Sequence, residues 1–362
     1  MTIAILGTVG IPASYGGFET LAENLARLHQ AHDIPGDLVV YCSAKSYPAQ
    51  PPSYLGAQLR YIALNANGVS SILYDIASLL SAVRHRSDVI LLLGVSGAIA
   101  LPLVRLMSRA YIVTNIDGIE WKREKWKGLA RWFLRFSERM AVHFSHEVIA
   151  DNAGIAEHVA LSYGRDCHVI AYGGDHVLEV PAQPCNELKM PPRYALALCR
   201  IEPENNVAMI LEAFAEKPGI PLVFVGNWNK SQFGRALKQH YAQTAHLHLL
   251  DPIYDLSVLR TLRSNAAIYV HGHSAGGTNP SLVEMMHFGI PVLAYDCVFN
   301  RHTTDNKALW FKDAESLGVA ISSMEPERMS QVSVDMKRIA QERYTWQAIG
   351  QAYFKLLLEE NQ

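Results

Sequence analysis

Short apolar, β-rich runs alternate with helix-period stretches twice along this chain, and a proline-rich break separates the two series. The first series contains "IAILG" (3–7), "LVVYCS" (38–43), "LRYIAL" (59–64), "DVILLLG" (88–94), "YIVTNID" (111–117), "HEVIADN" (146–152) and "HVIAYGG" (168–174). Between the first two runs, Phe18, Leu21, Ala22, Leu25 and Leu28 recur at helical spacing. Strands alternating with helices give a parallel sheet covered on both faces, an α/β doubly wound fold. The stretch "LEVPAQPCNELKMPPR" (178–193) has four prolines and no periodicity, and reads as a linker. A second series follows: "YALALCRI" (194–201), "LVFVGNW" (222–228), "HLHLLDP" (246–252), "AIYVHGHS" (267–274), "PVLAYDC" (291–297) and "ALWF" (308–311). The chain's 362 residues exceed one ordinary core. The expected division is a Rossmann-like domain over 1–178 and a second over 194–344. A closing amphipathic helix over 345–362 is expected to pack back on the first. Two such domains would face each other across a central cleft lined by loops at the carboxyl ends of strands.

Composition narrows the class. A net charge of -2 argues against a global nucleic-acid footprint. The five cysteines are odd in number with no C-x-x-C pair, which suits a reducing cytosol better than a disulfide framework or zinc knuckle. "MTIAILG" lacks the features of a signal peptide, so a cytoplasmic setting is expected. "VILLLGVSGAIALPLV" (89–104) is broken by Gly94, Gly97 and Pro102, and it falls short of the ~20 residues a membrane span needs. It reads as a buried strand followed by a helix.

The most informative segment is "HGHSAGGTNPSLVEMMHFGIPV" (271–292), a strand end, a glycine loop and a helix start at Asn279–Pro280–Ser281. Free amides and the positive dipole end there favour an anion. Glu284 lies near that start; it suits the hydroxyls of a ribose, or else complements the dipole as a capping carboxylate.

"NPSLVEMMHFGIPVLA", with "ALCRIEPENNVAMILEAF" upstream, resembles the E-x7-E region of retaining glycosyltransferases of family 4, which have the GT-B fold. The opening "GTVGIPASYGGFET" resembles the N-terminal domain of bacterial rhamnosyltransferases in that family. The resemblance implies that Glu284 holds the donor ribose and that Arg200 grips the donor diphosphate. Three positions depart from the pattern. The family's other Glu falls on Gly276, its Lys on Asn205, and the His of its usual N-domain pair on Ile116, next to Asp117. Charge on the departing diphosphate would then be met by Arg200, the amides around Gly277, Thr278 and Asn279, and the helix dipole, with Gly17, Asn205 and Gly276 also among the expected donor contacts. Arg200 could alternatively pair with Glu202 or Glu204.

The loop after the first strand would form an acceptor-side wall. Gly16 and Gly17 let backbone approach the donor diphosphate and acceptor, with Tyr15 and Glu19 beside them, or they shape a tight turn with no ligand. Its spacing is not G-x-G-x-x-G, so a dinucleotide fingerprint is excluded. Asn115, Asp117 and Glu120 are candidates for acceptor hydroxyls, with Asp117 orienting first and base second; Asn115 and Asp117 could instead cap a loop. His271 and His273 form an H-x-H pair without a persuasive third ligand, so no metal is expected, and the family resemblance implies metal-independent transfer without a cofactor. The segment 121–140 holds seven basic residues against two acidic ones, interleaved with aromatics. It suits an interfacial helix on an anionic membrane, or a core-facing aromatic stripe with a solvated basic face.

These readings converge on a nucleotide-sugar enzyme. The resemblance implies transfer of rhamnose from dTDP-rhamnose to a polyprenyl-diphosphate-linked saccharide, in bacterial surface-polysaccharide assembly, at the inner face of the cytoplasmic membrane. The alternatives are a UDP- or GDP-hexose donor and a catalytically silent sugar- or nucleotide-binding homologue.

Overall fold

A computed structural model describes residues 1–13, 16–116, 118–122, 128–183, 190–217 and 219–359. Its first compact unit comprises Met1–Tyr172 and Trp346–Gln362, and its second Gly173–Thr345. The first unit runs β1 (Thr2–Leu6), α1 (Gly17–Ala31), β2 (Asp37–Ser43), β3 (Ser53–Tyr54), β4 (Ala57–Ile62), α2 (Ser70–Arg84), β5 (Val89–Leu93), α3 (Leu101–Met107), β6 (Tyr111–Ile116), α4 (Gly128–Phe144), β7 (Glu147–Ala150), α5 (Ala153–Tyr163) and β8 (His168–Val169). Its eight strands lie in the order β3-β4-β2-β1-β5-β6-β7-β8, parallel except for the short β3. Every residue of β5 is buried, as expected for a strand covered on both faces. Ala4, Leu6, Ile90 and Leu92 on one sheet face pack with Leu79 and Ala82 of α2, Leu101 and Val104 of α3, and Ala141 of α4.

The second unit runs β9 (Ala195–Leu198), α6 (Val207–Glu216), β10 (Leu222–Val225), α7 (Gln232–His240), β11 (Leu247–Leu250), α8 (Leu256–Asn265), β12 (Ile268–His271), α9 (Pro280–His287), β13 (Val292–Tyr295), α10 (Val298–Thr303), β14 (Leu309–Phe311), α11 (Ala314–Ser322) and α12 (Pro326–Arg343). Six parallel strands take the order β11-β10-β9-β12-β13-β14. Both sheets are Rossmann-like. The division falls at 172/173, earlier than the 178 read from sequence, because a 3-10 turn at Asp175–Leu178 packs against α9.

The last helix, α13 (Trp346–Glu359), returns to the first unit and packs on α1. Phe354 sits 5.7 Å from the His29 ring, and a Cβ at Gly350 would stand 2.4 Å from Leu28 Cδ2. No helix among the described residues is long and apolar enough to cross a membrane.

Candidate functional site

In the second sheet the strand order reverses between β9 and β12, so the loops that follow these two strands meet at the topological switch point. Hydrogen bonds tie the loops together. Asn206 Nδ2 donates to the Gly272 carbonyl at 2.8 Å, and the Ser274 amide and hydroxyl donate to the Glu204 carbonyl at 3.0 and 2.8 Å. Asn300 Nδ2 donates to the His273 carbonyl at 2.9 Å and secures the other side.

Asn279 caps α9. Its Oδ1 accepts from the Ser281 amide at 3.0 Å and the Ser281 hydroxyl at 2.7 Å, so its Nδ2 faces His273 Nε2 at 2.9 Å. That network puts the His273 ring proton on Nδ1. The Leu282 and Val283 amides donate to the Asn279 carbonyl. The free first-turn amides expected from sequence are therefore already used, and an anion here would meet the helix dipole and the 276–279 loop backbone instead. Gly276 has a φ of +116°, where any side chain is strained. The missing carboxylate at this position is thus a property of the backbone as well as of the sequence.

Glu284 is the fifth residue of α9, beyond the turn where a carboxylate mainly complements the dipole. Its Oε2 accepts from Arg263 Nη2, and its Oε1 lies 3.6 Å from His176 Nε2. Arg263, on α8, is only 5% exposed. Burial holds His176 below the ordinary imidazole range, against the pull of Glu284. Sequence reasoning missed both partners. A signal existed for Arg263, which continues the buried Leu259 and Leu262 positions at helical spacing and so sits on the apolar face of its helix.

Arg200 follows β9 with its side chain about one-third exposed, and Glu202 stands 4.0 Å away. A pair that long and exposed binds weakly and leaves the guanidinium able to take an anion. Asn205, expected among the donor contacts, is 1% exposed and turned inward, where Nδ2 donates to the Arg200 carbonyl at 2.6 Å. It braces the backbone of Arg200.

The first sheet reverses between β1 and β5, and the glycine loop leaves β1 at that point. Glu19 is turned into its own loop: Oε1 accepts from the Val9 amide at 2.8 Å and Thr8 Oγ1 at 3.1 Å, so the carboxylate expected to meet an acceptor is a clamp. Gly16 takes a φ of +136° as the N-cap of α1, which Gly17 opens, and its carbonyl accepts from Thr20 N at 3.1 Å and Thr20 Oγ1 at 2.9 Å. Asn115 is also internal, donating to Tyr353 Oη of α13 at 2.6 Å. Tyr15 and Asp117 lie outside the described residues, as does the side chain of Glu120. Two neighbours on α2 went unread in the sequence. Tyr74 Oη donates to the Thr8 carbonyl at 3.0 Å, and the buried Asp75 carboxylate accepts from Ser96 Oγ, with its pKa pushed up to about 7 by burial.

The His271 and His273 rings stack at 5.3 Å, and burial takes His271 down to about 3. Among the described residues, no group of three or more His, Cys, Asp or Glu side chains is placed to hold a metal ion.

Residues 1–175 match a family model described as a domain of unknown function (DUF1972), and residues 183–343 match "Glycosyl transferases group 1". No curated protein matches the chain. Among solved structures, the chain is similar to sucrose-phosphate synthase from Thermosynechococcus elongatus, with a TM-score of 0.81, 15% identity and 99% of both chains covered. It is also similar to Anabaena HepE in complex with UDP-glucose, with a TM-score of 0.74, 16% identity and coverage of 99% of this chain and 100% of that one. A third is the catalytic domain of starch synthase IV from Arabidopsis thaliana bound to ADP and acarbose, with a TM-score of 0.70, 12% identity and coverage of 99% of this chain and 98% of that one. The fold is that of the GT-B glycosyltransferases: two Rossmann-like α/β domains with parallel sheets. Within it, residues 183–343 form a glycosyltransferase group 1 domain.

Proposed function

We propose that this protein is a retaining glycosyltransferase that takes its sugar from a nucleotide donor held at the switch point of the second unit. The observation that carries this reading is a pair of groups on the switch-point loops and helices: an available Arg200 guanidinium after β9, and on α9 a Glu284 carboxylate fixed by Arg263. Glu284 accepts from the sugar hydroxyls of the nucleotide, which in a dTDP donor means the 3′-hydroxyl of its deoxyribose. Arg200, the dipole of α9 and the loop backbone around Gly277 and Thr278 stabilise the departing diphosphate, the charge that grows in the transition state. These groups meet the diphosphate without a metal or cofactor. A phosphate oxygen of the leaving group takes the acceptor proton, so Asp117 orients the acceptor rather than serving as an obligatory base.

The donor reading is dTDP-rhamnose. Gly276 offers no side chain to bind the ring hydroxyls of a hexose, and a deoxysugar with a methyl in place of a hydroxymethyl asks for fewer polar partners. The acceptor reading is a polyprenyl-diphosphate-linked saccharide of bacterial surface-polysaccharide assembly. It would be met at the inner face of the cytoplasmic membrane, where the basic and aromatic segment 121–140 holds the protein on anionic lipid. Side-by-side consumption of dTDP-rhamnose, UDP-glucose and GDP-mannose tests the donor, with dTDP-rhamnose expected to be used first. Preference for either hexose donor moves the sugar assignment and keeps the transfer reading. Nucleotide binding without consumption of any donor, across acceptors, marks a silent homologue.

A further inference from the structure

In the first unit the crossovers β5-α3-β6, β6-α4-β7 and β7-α5-β8 all step the same way along the sheet. Parallel crossovers are right-handed, so α3, α4 and α5 form one layer with their outer sides facing solvent together. That layer is unusually apolar outside. Leu103, Leu106 and Met107 of α3, Leu129 and Trp132 of α4, and Leu161 of α5 are exposed, with Leu106 at 86% and Leu161 at 90%. Arg131, Arg135 and Arg139 line α4 at four-residue intervals on its exposed side. The acid of α4, Glu138, is buried and accepts from Trp121 Nε1 at 3.0 Å and Tyr163 Oη at 2.7 Å. The described residues of α3 and α4 therefore present no exposed carboxylate, and α5 adds one, Glu157. A groove of about 530 Å³ opens on this face between the Trp132 and Phe136 rings, stacked at 5.5 Å, and the Arg135, Arg139, His143 and Tyr163 side chains.

We infer that α3, α4 and α5 together form a bilayer-facing surface for anionic phospholipid, with a headgroup phosphate seated between Arg135 and Arg139. This rests on the membrane reading of 121–140 and widens it to α3 and α5, where the apolar contacts lie. Charge decides the occupant. A second copy would set arginine against arginine with little acid to offset them, which disfavours a self-interface. An anionic lipid surface offers phosphates to the arginines and acyl chains to Leu103, Leu106, Met107 and Leu161, with Trp132 at the boundary.

The test is flotation of the full chain with phosphatidylcholine vesicles, with and without phosphatidylglycerol. Wild type is expected to float with the anionic vesicles and to be released by salt. Arg135→Gln with Arg139→Gln should lower the partition coefficient about fivefold for each arginine. Leu106→Ser with Met107→Ser should lower it about tenfold, with melting temperature and nucleotide binding unchanged because both side chains are exposed. Release by the arginine changes but not by the α3 changes overturns the three-helix surface and leaves the 121–140 reading standing. Wild type that ignores anionic vesicles overturns both. Concentration-dependent dimers abolished by the α3 changes, without flotation, assign the face to a second copy and overturn the proposal.

Discussion

A carboxylate that binds a ligand must be held in place without being used up, and Glu284 meets that condition. Arg263 and His176 each approach one of its two oxygens, while a carboxylate has room for about four hydrogen bonds, so positions remain for a sugar hydroxyl of the nucleotide. Glu284→Gln is expected to weaken dTDP binding about ten- to a hundredfold in calorimetry and to erase the preference for dTDP over its 3′-deoxy analogue. Arg263→Lys keeps the charge and should retain part of that preference. Arg263→Met removes the cation that fixes one oxygen of Glu284, so it should lose the preference and lower the stability of the second unit in urea unfolding. Arg200→Ala should cut turnover about a hundredfold while nucleoside monophosphate affinity changes little, since the proposed partner of Arg200 is the diphosphate. Gly276→Glu should impair any donor, because it forces a side chain onto a φ of +116° and adds a charge with no partner. Arg200 and Glu284, to which the proposed reading gives the chemistry, stand out in the sequence beside a strand end and a helix start. Inward-turned groups were not: nothing local distinguishes an Asn115 that reaches Tyr353, or a Glu19 that folds back on Val9, from a side chain reaching for a ligand.

At the scale of elements, α2 does more than cover the sheet. Through Tyr74 it holds the loop after β1, and through Asp75 the loop after β5, the two loops at the switch point of the first unit. Burial raises the folded-state pKa of Asp75 to about 7, above the ordinary aspartate value of 3.8, so between those limits the folded state holds the proton that the unfolded chain has released. Its contribution to stability is therefore greatest in acid and declines as pH rises from about 4 to about 7. Asp75→Asn should remove that decline and raise the melting temperature at pH 7 relative to wild type, by an amount worth a few kcal/mol, as a pH series of thermal melts would show. Elements were the most readable level of the sequence, because a parallel strand buried on both faces shows itself as an unbroken apolar run, as in β5. The two-residue β3 and β8 show why the reading fades at edges. The run at 168–174 is apolar enough for a long strand, yet only His168 and Val169 stand in register with β7, and pairing ends with the Ile170 amide on the Ala150 carbonyl.

For the molecule as a whole, two alternating series were enough to give two Rossmann-like domains, since each series specifies its own parallel sheet. What the series could not show was that the turn at Asp175–Leu178 belongs to the second unit, because a few residues without periodicity take their place from what they touch. The return of α13 to α1 supports a prediction at this scale. Ending the chain after Thr345 uncovers the α1 face and removes Tyr353 from Asn115, so the first unit should melt well below its normal temperature. The second unit, Gly173–Thr345, should keep its own transition in differential scanning calorimetry, and loss of both together would show the units to be interdependent. The same connectivity has a consequence on the ribosome. The second unit lies wholly between the two parts of the first, so all its residues have been translated before the piece that completes the first. At about 5–20 residues per second, the seam on α1 stays open for the roughly ten seconds or more in which the later half of the chain is made. The part of the protein that is synthesised first is the last to be closed.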